Sequence, residues 1–301
     1  MPDILVIGSL NADLVVRTPR FPAPGETISG GDLAIIPGGK GANQAVAVAR
    51  QGTSVAMVGR VGSDSFGPTL IQNLQNNKVD TNLVQISDSA TGTAIIVVDS
   101  SGQNSIVLSP GANDKVTPAD VDAVSFQDGN MLLLQLEIPL ETVIHAASVA
   151  HQNGLRVILN PAPARSLPDS LLADVDILVP NESELKLLSG QSVTDIDSAA
   201  SAARTVLAKG VKTVIVTLGS NGALLVTDER IAHIPTFNVD VVDTTAAGDA
   251  FIGGLAAALL KGKALEEAVR YGNASGALAA TKFGAQPSLP TQDEVEQLLR
   301  R

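Results

Sequence analysis

The segment 242-VDTTAAGDAFIGGLAAALLKG-262 sets a carboxylate, Asp249, behind threonines, alanines and glycine at the mouth of an apolar helix. If the helix starts near Ala247, the amide N–H groups of Ala246, Ala247 and Gly248 lack intrahelical acceptors and carry the positive end of the dipole. Their small side chains leave room for a phosphate to sit on them. An acid beside an anion cradle is electrostatically misplaced unless it takes a proton from the nucleophile attacking that anion. The segment therefore suits phosphoryl transfer, with amides holding the transferring group and Asp249 activating a hydroxyl. A first-turn aspartate that only complements the dipole is the plainer alternative.

Two further segments carry polar residues that need a reason. In 9-SLNADLV-15, Asn11 and Asp13 are two apart and share one face of a strand. Asn and Asp are depleted in strands, so this face either meets solvent at a sheet edge or binds a polar ligand; we favour the ligand. In 37-PGGKGANQAVAVARQG-52 a diglycine turn leads into an apolar helix. It is neither a Walker A loop nor a dinucleotide fingerprint, whose spacing fails at Gln44. Gly38 and Gly39 allow close backbone approach, and Lys40 and Asn43 add donors. A packing role accounts for the glycines but not for the lysine and asparagine beside them.

These segments need a frame. Apolar runs at 3–8, 54–62, 131–137, 155–160, 175–181 and 213–219 read as buried strands, and 141–154 and 197–210 as helices between them. The alternation predicts a parallel sheet covered on both faces, hence an α/β fold. Glu137, Asn160, Asn181 and Thr217 end successive strands, the edge where open parallel sheets bind ligands. Asn160, ahead of PAPA, fits a plain turn equally well. Two stretches break the rhythm, about 11–36 and 91–109, the second with a hairpin near Ser100–Gln103. Both read as β-ribbon inserted into one 301-residue domain.

Composition removes several chemistries. The chain has no cysteine and three scattered histidines, at 145, 151 and 233. Disulfides, thiolate zinc sites and histidine metal clusters are thus not expected. A net charge of −11 argues against nucleic acid as a partner. MPDILVIG lacks a basic n-region and reads as a first strand, and no apolar run reaches the roughly 18–20 residues of a membrane span. A cytoplasmic protein without membrane contact is expected.

DTTAAGDAF and PGGKGANQAVA resemble the C-terminal and N-terminal signatures of the PfkB carbohydrate kinases. GSLNAD, FPAPGET, LQLEIP, LNPAPAR, PNESE, TLGSNG and GAQPSLP follow the order found in the family's ribose-phosphorylating branch, so the resemblance spans residues 3 to 295. It implies a Rossmann-like sheet with a small β-sheet lid, and transfer from ATP to O5 of D-ribose. By that resemblance, Asn11, Asp13, Gly39, Lys40, Asn43 and Glu137 look like the sugar ligands. Asp249 looks like the base, and the amides of Ala246, Ala247 and Gly248 like the anion hole. Asn181 and Glu184 resemble the NxxE motif that organises Mg²⁺. Thr217, Gly219, Ser220, Gly222 and Asn273 resemble nucleotide-binding positions. A monovalent cation, K⁺, is implied at Asp243, Thr245, Ala279, Lys282, Gly284 and Ser288. Lid-to-lid packing into a homodimer is implied as well.

Among acceptors in the family, adenosine is disfavoured because aromatic residues are only 2% of the chain and the expected lid holds only Phe21. A sugar phosphate would want cations, and Arg17 and Arg20 are expected past Asp13 in a loop. Asp13 and Glu137 suit a neutral polyol: ribose first, 2-deoxyribose next. A non-catalytic sugar or nucleotide sensor of the same fold is the rival of a different class.

Overall fold

The computed structural model describes residues 2–126 and 129–301. The first strand, β1 (Ile4–Ile7), is wholly buried; the chain then departs to make β2 (Asn11–Arg17) and β3 (Ala34–Gly38) of a separate small sheet. It returns through helix Lys40–Arg50 to β4 (Val55–Gly62) and through helix Phe66–Asn76 to β5 (Asp80–Ser87). A second departure makes β6 (Gly92–Val98) and β7 (Asn104–Ser109). The chain re-enters at β8 (Met131–Leu134) and continues through β9 (Arg156–Leu159), β10 (Ile177–Leu178) and β11 (Thr213–Thr217) to the hairpin β12 (Ala223–Val226) and β13 (Ile231–Ile234).

Among the described residues the main sheet has nine strands in the order β13-β12-β11-β10-β9-β8-β1-β4-β5. All its pairings are parallel except those of β12 with β11 and β13. Side chains alternate between two cores. Ile4, Val6, Met131 and Leu133 face the core under helices Lys40–Arg50 and Ala247–Leu260, while Leu5, Ile7, Leu132 and Leu134 face the opposite one. Burial on both faces is why these strands read as unbroken apolar runs and not as alternation.

The structure trims two expected strands. The 175–181 run pairs over only two residues, because Pro180 has no N–H to donate and Asn181 turns to cap helix Glu182–Ser189. The 213–219 run stops at Thr217, and a 3₁₀ turn follows at Gly219–Asn221. Strand β5 carried no apolar run because it is a half-exposed sheet edge of sequence DTNLVQIS.

The two inserted ribbons form one four-stranded sheet, β3-β2-β6-β7, over the carboxyl edge of the main sheet. Its β6–β7 turn is built by Asp99, whose Oδ1 accepts from the N–H groups of Ser101 and Gln103 at 2.8 and 3.0 Å. Beneath it, helices Lys40–Arg50 and Ala247–Leu260 approach closely. A Cβ on Gly253 would lie 2.4 Å from the Ala47 Cβ, so only glycine permits this spacing.

Candidate active site

Asp249 lies in the first turn of helix Ala247–Leu260, 5% exposed. The close Gly253–Ala47 contact lies one turn along both helices, and it brings residues 43 and 44 against residue 249. Asn43 Nδ2 donates to Asp249 Oδ2 and Gln44 Nε2 to Oδ1, each at 3.0 Å. Burial raises the Asp249 pKa; Lys40 and the two amides counter it only in part, so the net shift is upward.

The helix opens on Ala246, held in the left-handed region at φ 59°. That residue turns the chain so that the start of the helix faces a cavity, at a cost to a non-glycine side chain of about 1 kcal/mol. The three amides were expected free, and one is not: Ala247 N–H donates to the Thr244 carbonyl at 3.2 Å, closing the turn. Among the described residues no acceptor engages the amides of Ala246 and Gly248.

On the lid side, β2 delivers Asn11 and Asp13 on one buried face. Asn113 sets the amide of Asn11, since its Nδ2 donates to Asn11 Oδ1 at 2.7 Å and leaves the Asn11 NH₂ to point elsewhere. The Asp13 carboxyl is pushed up to about 7 by burial, reinforced by the charges of Glu137 and Asp249 and relieved by Lys40. Glu137, in the loop after β8, is fixed by Ser9 Oγ at 2.5 Å and Lys40 N–H at 3.1 Å. Burial lowers the Lys40 pKa, but Asp249, Glu137, Glu184 and Asp13 together raise it further, so the lysine stays charged. Gly39, at φ 87°, has no room for a Cβ: one would lie 2.7 Å from the Asn11 N. The buried Asn43 Oδ1 has no hydrogen-bond partner, as expected of a group awaiting a ligand.

The other side of the helix start opens into a cavity of about 860 Å³. Asn181, Thr217, Gly219, Ser220, Gly222 and Asn273 all line it, as do Ala247 and Gly248. A parallel bridge between Asn181 and Thr217 sets the first two side by side. Gly222 is needed at φ 89°, where a Cβ would meet the Ile234 carbonyl at 2.3 Å. Asn273 donates to the Ile234 and Pro235 carbonyls, so its amide shapes the wall that it lines. Glu184 does not line the cavity. Asn181 and Glu184 form a capping box, with the Asn181 N–H on Glu184 Oε2 and the Glu184 N–H on Asn181 Oδ1, both at 2.9 Å. Burial raises the Glu184 pKa against the Asn181 N–H and Lys40, and Asp249 adds to the rise.

The remaining predicted residues gather where two loops meet. Asp243 accepts from Thr245 N–H and Oγ1 at 2.9 and 2.6 Å and from Gly284 N–H at 2.9 Å, while its own N–H donates to the Ala280 carbonyl. Burial would raise its pKa, but these bonds and the Arg17 charge hold it below the usual range. Lys282 turns its ammonium to Glu294 at 2.7 Å, Ser288 donates to the Ala285 carbonyl, and the Ala279 carbonyl accepts from Lys282 N–H. These three can offer only oxygens. No group of three or more His, Cys, Asp or Glu that could hold a metal ion occurs among the described residues. One carboxylate amid neutral oxygens suits a weakly charged, hard cation.

Arg17 was expected in a loop. It ends β2 on the Asn11–Asp13 face, 4.7 Å from the Phe283 ring centroid, and lines a cavity beneath the lid with Asp243. The strand runs longer because β6 pairs with it as far as Val98. The sequence reading also passed over Ser9, Gln44, Asn113 and Gln135. For Gln135 a signal existed, an amide inside the apolar run MLLLQLE; for Gln44 it was dismissed as the residue that spoils a fingerprint. Phe237 and Val239, on the wall of the larger cavity, left no signal because apolar residues there look like any strand exit.

A lid over a polar pocket, an acid at a helix start and a second cavity beyond it together define a sugar-kinase architecture. The profile described as pfkB family carbohydrate kinase matches residues 1–292, and the chain belongs to that family. Among its relatives, a ribokinase of Haemophilus influenzae is 45% identical over 299 residues, covering 98% of each chain. A deoxyribokinase of Salmonella typhi is 40% identical over 301 residues, covering 99% of this chain and 98% of that one. The structure of an Arabidopsis thaliana ribokinase complexed with ribose and ATP matches with a TM-score of 0.92 at 35% identity, covering 100% of this chain and 99% of that one.

Proposed function

We propose that this chain transfers the γ-phosphoryl group of ATP to O5 of D-ribose, giving D-ribose 5-phosphate and ADP. The observation that carries the reading is the position of Asp249: a buried carboxylate between the lid-side polar pocket and the helix start that faces the larger cavity. Ribose lies between Asn11, Asp13, Gly39, Lys40, Asn43 and Glu137, and ATP between Thr217, Gly219, Ser220, Gly222 and Asn273. Asp249 takes the proton of the 5-hydroxyl as O5 bonds to the γ-phosphorus; the bond to the β,γ-bridging oxygen breaks, and ADP leaves with that electron pair. Burial raises the proton affinity of Asp249, which makes it a stronger base toward the 5-hydroxyl proton than an exposed carboxylate. The amides of Ala246 and Gly248, with Ala247 at the turn, stabilise the equatorial oxygens.

Mg²⁺ bound with the nucleotide would neutralise phosphate charge, its waters ordered by Asn181 on the cavity wall and by Glu184 through the Asn181 side chain that it holds. A K⁺ ion would sit at Asp243 and Thr245, with the carbonyls of Ala279, Lys282, Gly284 and Ser288, and steady the loop that carries the anion hole. The chain works as one kinase unit in the cytoplasm; among the described residues no helix is long and apolar enough to cross a membrane. It pairs through the lid, on whose outer face Ile35, Leu14, Ile95 and Val107 stand opposite one another in register, with Ile35, Ile95 and Val107 exposed.

The deoxyribokinase relative favours 2-deoxyribose as the second acceptor. Loss of the 2-hydroxyl would strand one polar group of the pocket, at about 1–3 kcal/mol. The test is ADP release from MgATP in potassium buffer with ribose, 2-deoxyribose, fructose, adenosine or no sugar. Ribose-dependent release, lowered about 10²–10⁴-fold by Asp249→Asn with ribose binding retained, is expected. No release with any of these acceptors would overturn the reading and favour a sensor.

A further inference from the structure

Behind Asp249, away from both ligand cavities, runs a chain of amides that the reaction as described does not use. Gln135 Nε2 donates to Gln44 Oε1 at 2.6 Å, and Gln44 Nε2 donates to Asp249 Oδ1 at 3.0 Å. Both glutamines are 0% exposed, a rare state for that residue. Gln135 follows directly on β8, at the carboxyl edge of the main sheet, and Gln44 lies on the buried face of helix Lys40–Arg50. The chain thus ties three separate elements together through side chains.

Its direction is set from the carboxylate end. An ionised Asp249 accepts only, so Gln44 must present its NH₂ and turn its carbonyl oxygen away. Gln135 fills that oxygen with its own NH₂, and a flipped Gln44 would face a donor with a donor. The Gln135 carbonyl oxygen is buried without any hydrogen-bond partner. It sits where a Cβ on Gly8 would lie, 2.1 Å away. A residue chosen for packing alone would not leave a buried acceptor orphaned; a donor is what this position supplies.

We propose that Gln135 and Gln44 form a buried amide relay that holds the Asp249 carboxylate aimed at the acceptor hydroxyl, which makes both of them positioning residues for phosphoryl transfer. The inference rests on Asp249 being the base, as argued above. Asn43 holds the other carboxylate oxygen but also faces the sugar pocket, so Gln44 is the bond dedicated to orientation. The charged groups that face Asp249 are Lys40 at the start of the neighbouring helix, Glu137 after β8, Asp13 on the lid and Glu184 beyond β10. All stay in place when the glutamines are changed.

The test compares wild type, Gln44→Met, Gln135→Met and the double variant, each checked for folding by thermal melting. Two readouts are taken: the pH profile of kcat/KM for ribose, and a ¹³C-carboxylate NMR titration of Asp249, its resonance assigned by loss in Asp249→Asn. Removing a donor from the ionised form raises its proton affinity. Gln44→Met should therefore move the Asp249 titration up by about one pH unit, shift the acid limb of kcat/KM with it, and lower kcat about tenfold. The ribose KM should stay within about threefold. Gln135→Met should shift both readouts the same way by less, and the double variant should match Gln44→Met alone, because Gln135 acts only through Gln44. An unmoved Asp249 titration in Gln44→Met, or losses that multiply in the double variant, would overturn the relay. The titration needs no turnover, so it decides the relay even in a chain that phosphorylates no sugar. Ribose-dependent ADP release by wild type decides the activity separately.

Discussion

Replacing Gly253 by alanine should damage catalysis through the spacing of two helices. The new Cβ would lie 2.4 Å from the Ala47 Cβ and 3.0 Å from the Ala47 carbonyl carbon and the Val48 nitrogen. Ordinary contact begins near 3.4 Å, so the helices must part by about 1 Å, as backbone atoms cannot rotate aside. One turn away, the Asn43 and Gln44 bonds to Asp249 are 3.0 Å long. The same displacement stretches them to about 4 Å, outside hydrogen-bond range. A reacting group misplaced by about 1 Å costs on the order of 10²-fold in rate. Stability falls as well: alanine in a helix interior gains about 0.5–1 kcal/mol over glycine, against an overpacking cost of about 1–3 kcal/mol and about 1.5–3 kcal/mol for each hydrogen bond that the buried carboxylate loses. The melting temperature should fall by roughly 5–10 °C while kcat for ribose-dependent ADP release falls about a hundredfold. A folded Gly253→Ala protein with kcat within about threefold of wild type would refute the claim that this contact sets the spacing of the base.

Two other outcomes follow from the lid. With its pKa pushed up to about 7, Asp13 holds a proton in the folded state that the unfolded chain has released above about pH 4. Stability should therefore fall as pH rises from about 4 to 7, by up to about 4 kcal/mol if Asp13 acted alone. Asp13→Asn should flatten the fall of melting temperature between pH 5 and 8 while weakening ribose binding; an equal fall in both proteins would exclude Asp13 as its source. For the lid's outer face, light scattering at micromolar concentration should find a dimer for wild type and a monomer for Ile95→Asp combined with Val107→Asp. A monomeric wild type, or a variant that stays dimeric, would count against pairing through this surface.

Much of the fold was legible because burial on both faces writes parallel strands as apolar runs: 3–8, 54–62 and 131–137 all contain a strand. Strand β5 was not legible, since an edge strand has one dry face and polar residues on the other. Asn11, Asp13 and Asp249 stood out because their types conflict with their local setting. Gln44 and Arg17 did not, since a polar residue near a helix start or after a strand is unremarkable until its neighbour in space is known.

By itself the sequence determined the residue types and their local geometry: an acid in the first turn of an apolar helix, two polar residues on one face of β2, and glycines where φ must be positive. Local geometry depends on near neighbours along the chain, so it is written there. Only the tertiary structure decided which of these meet. It turned Lys282 toward Glu294, and set Gln135, 114 residues before Asp249, at the end of a chain of hydrogen bonds to it. Such contacts depend on how two helices and a sheet edge pack, down to the missing methyl group at Gly253, and no short window of sequence contains that distance.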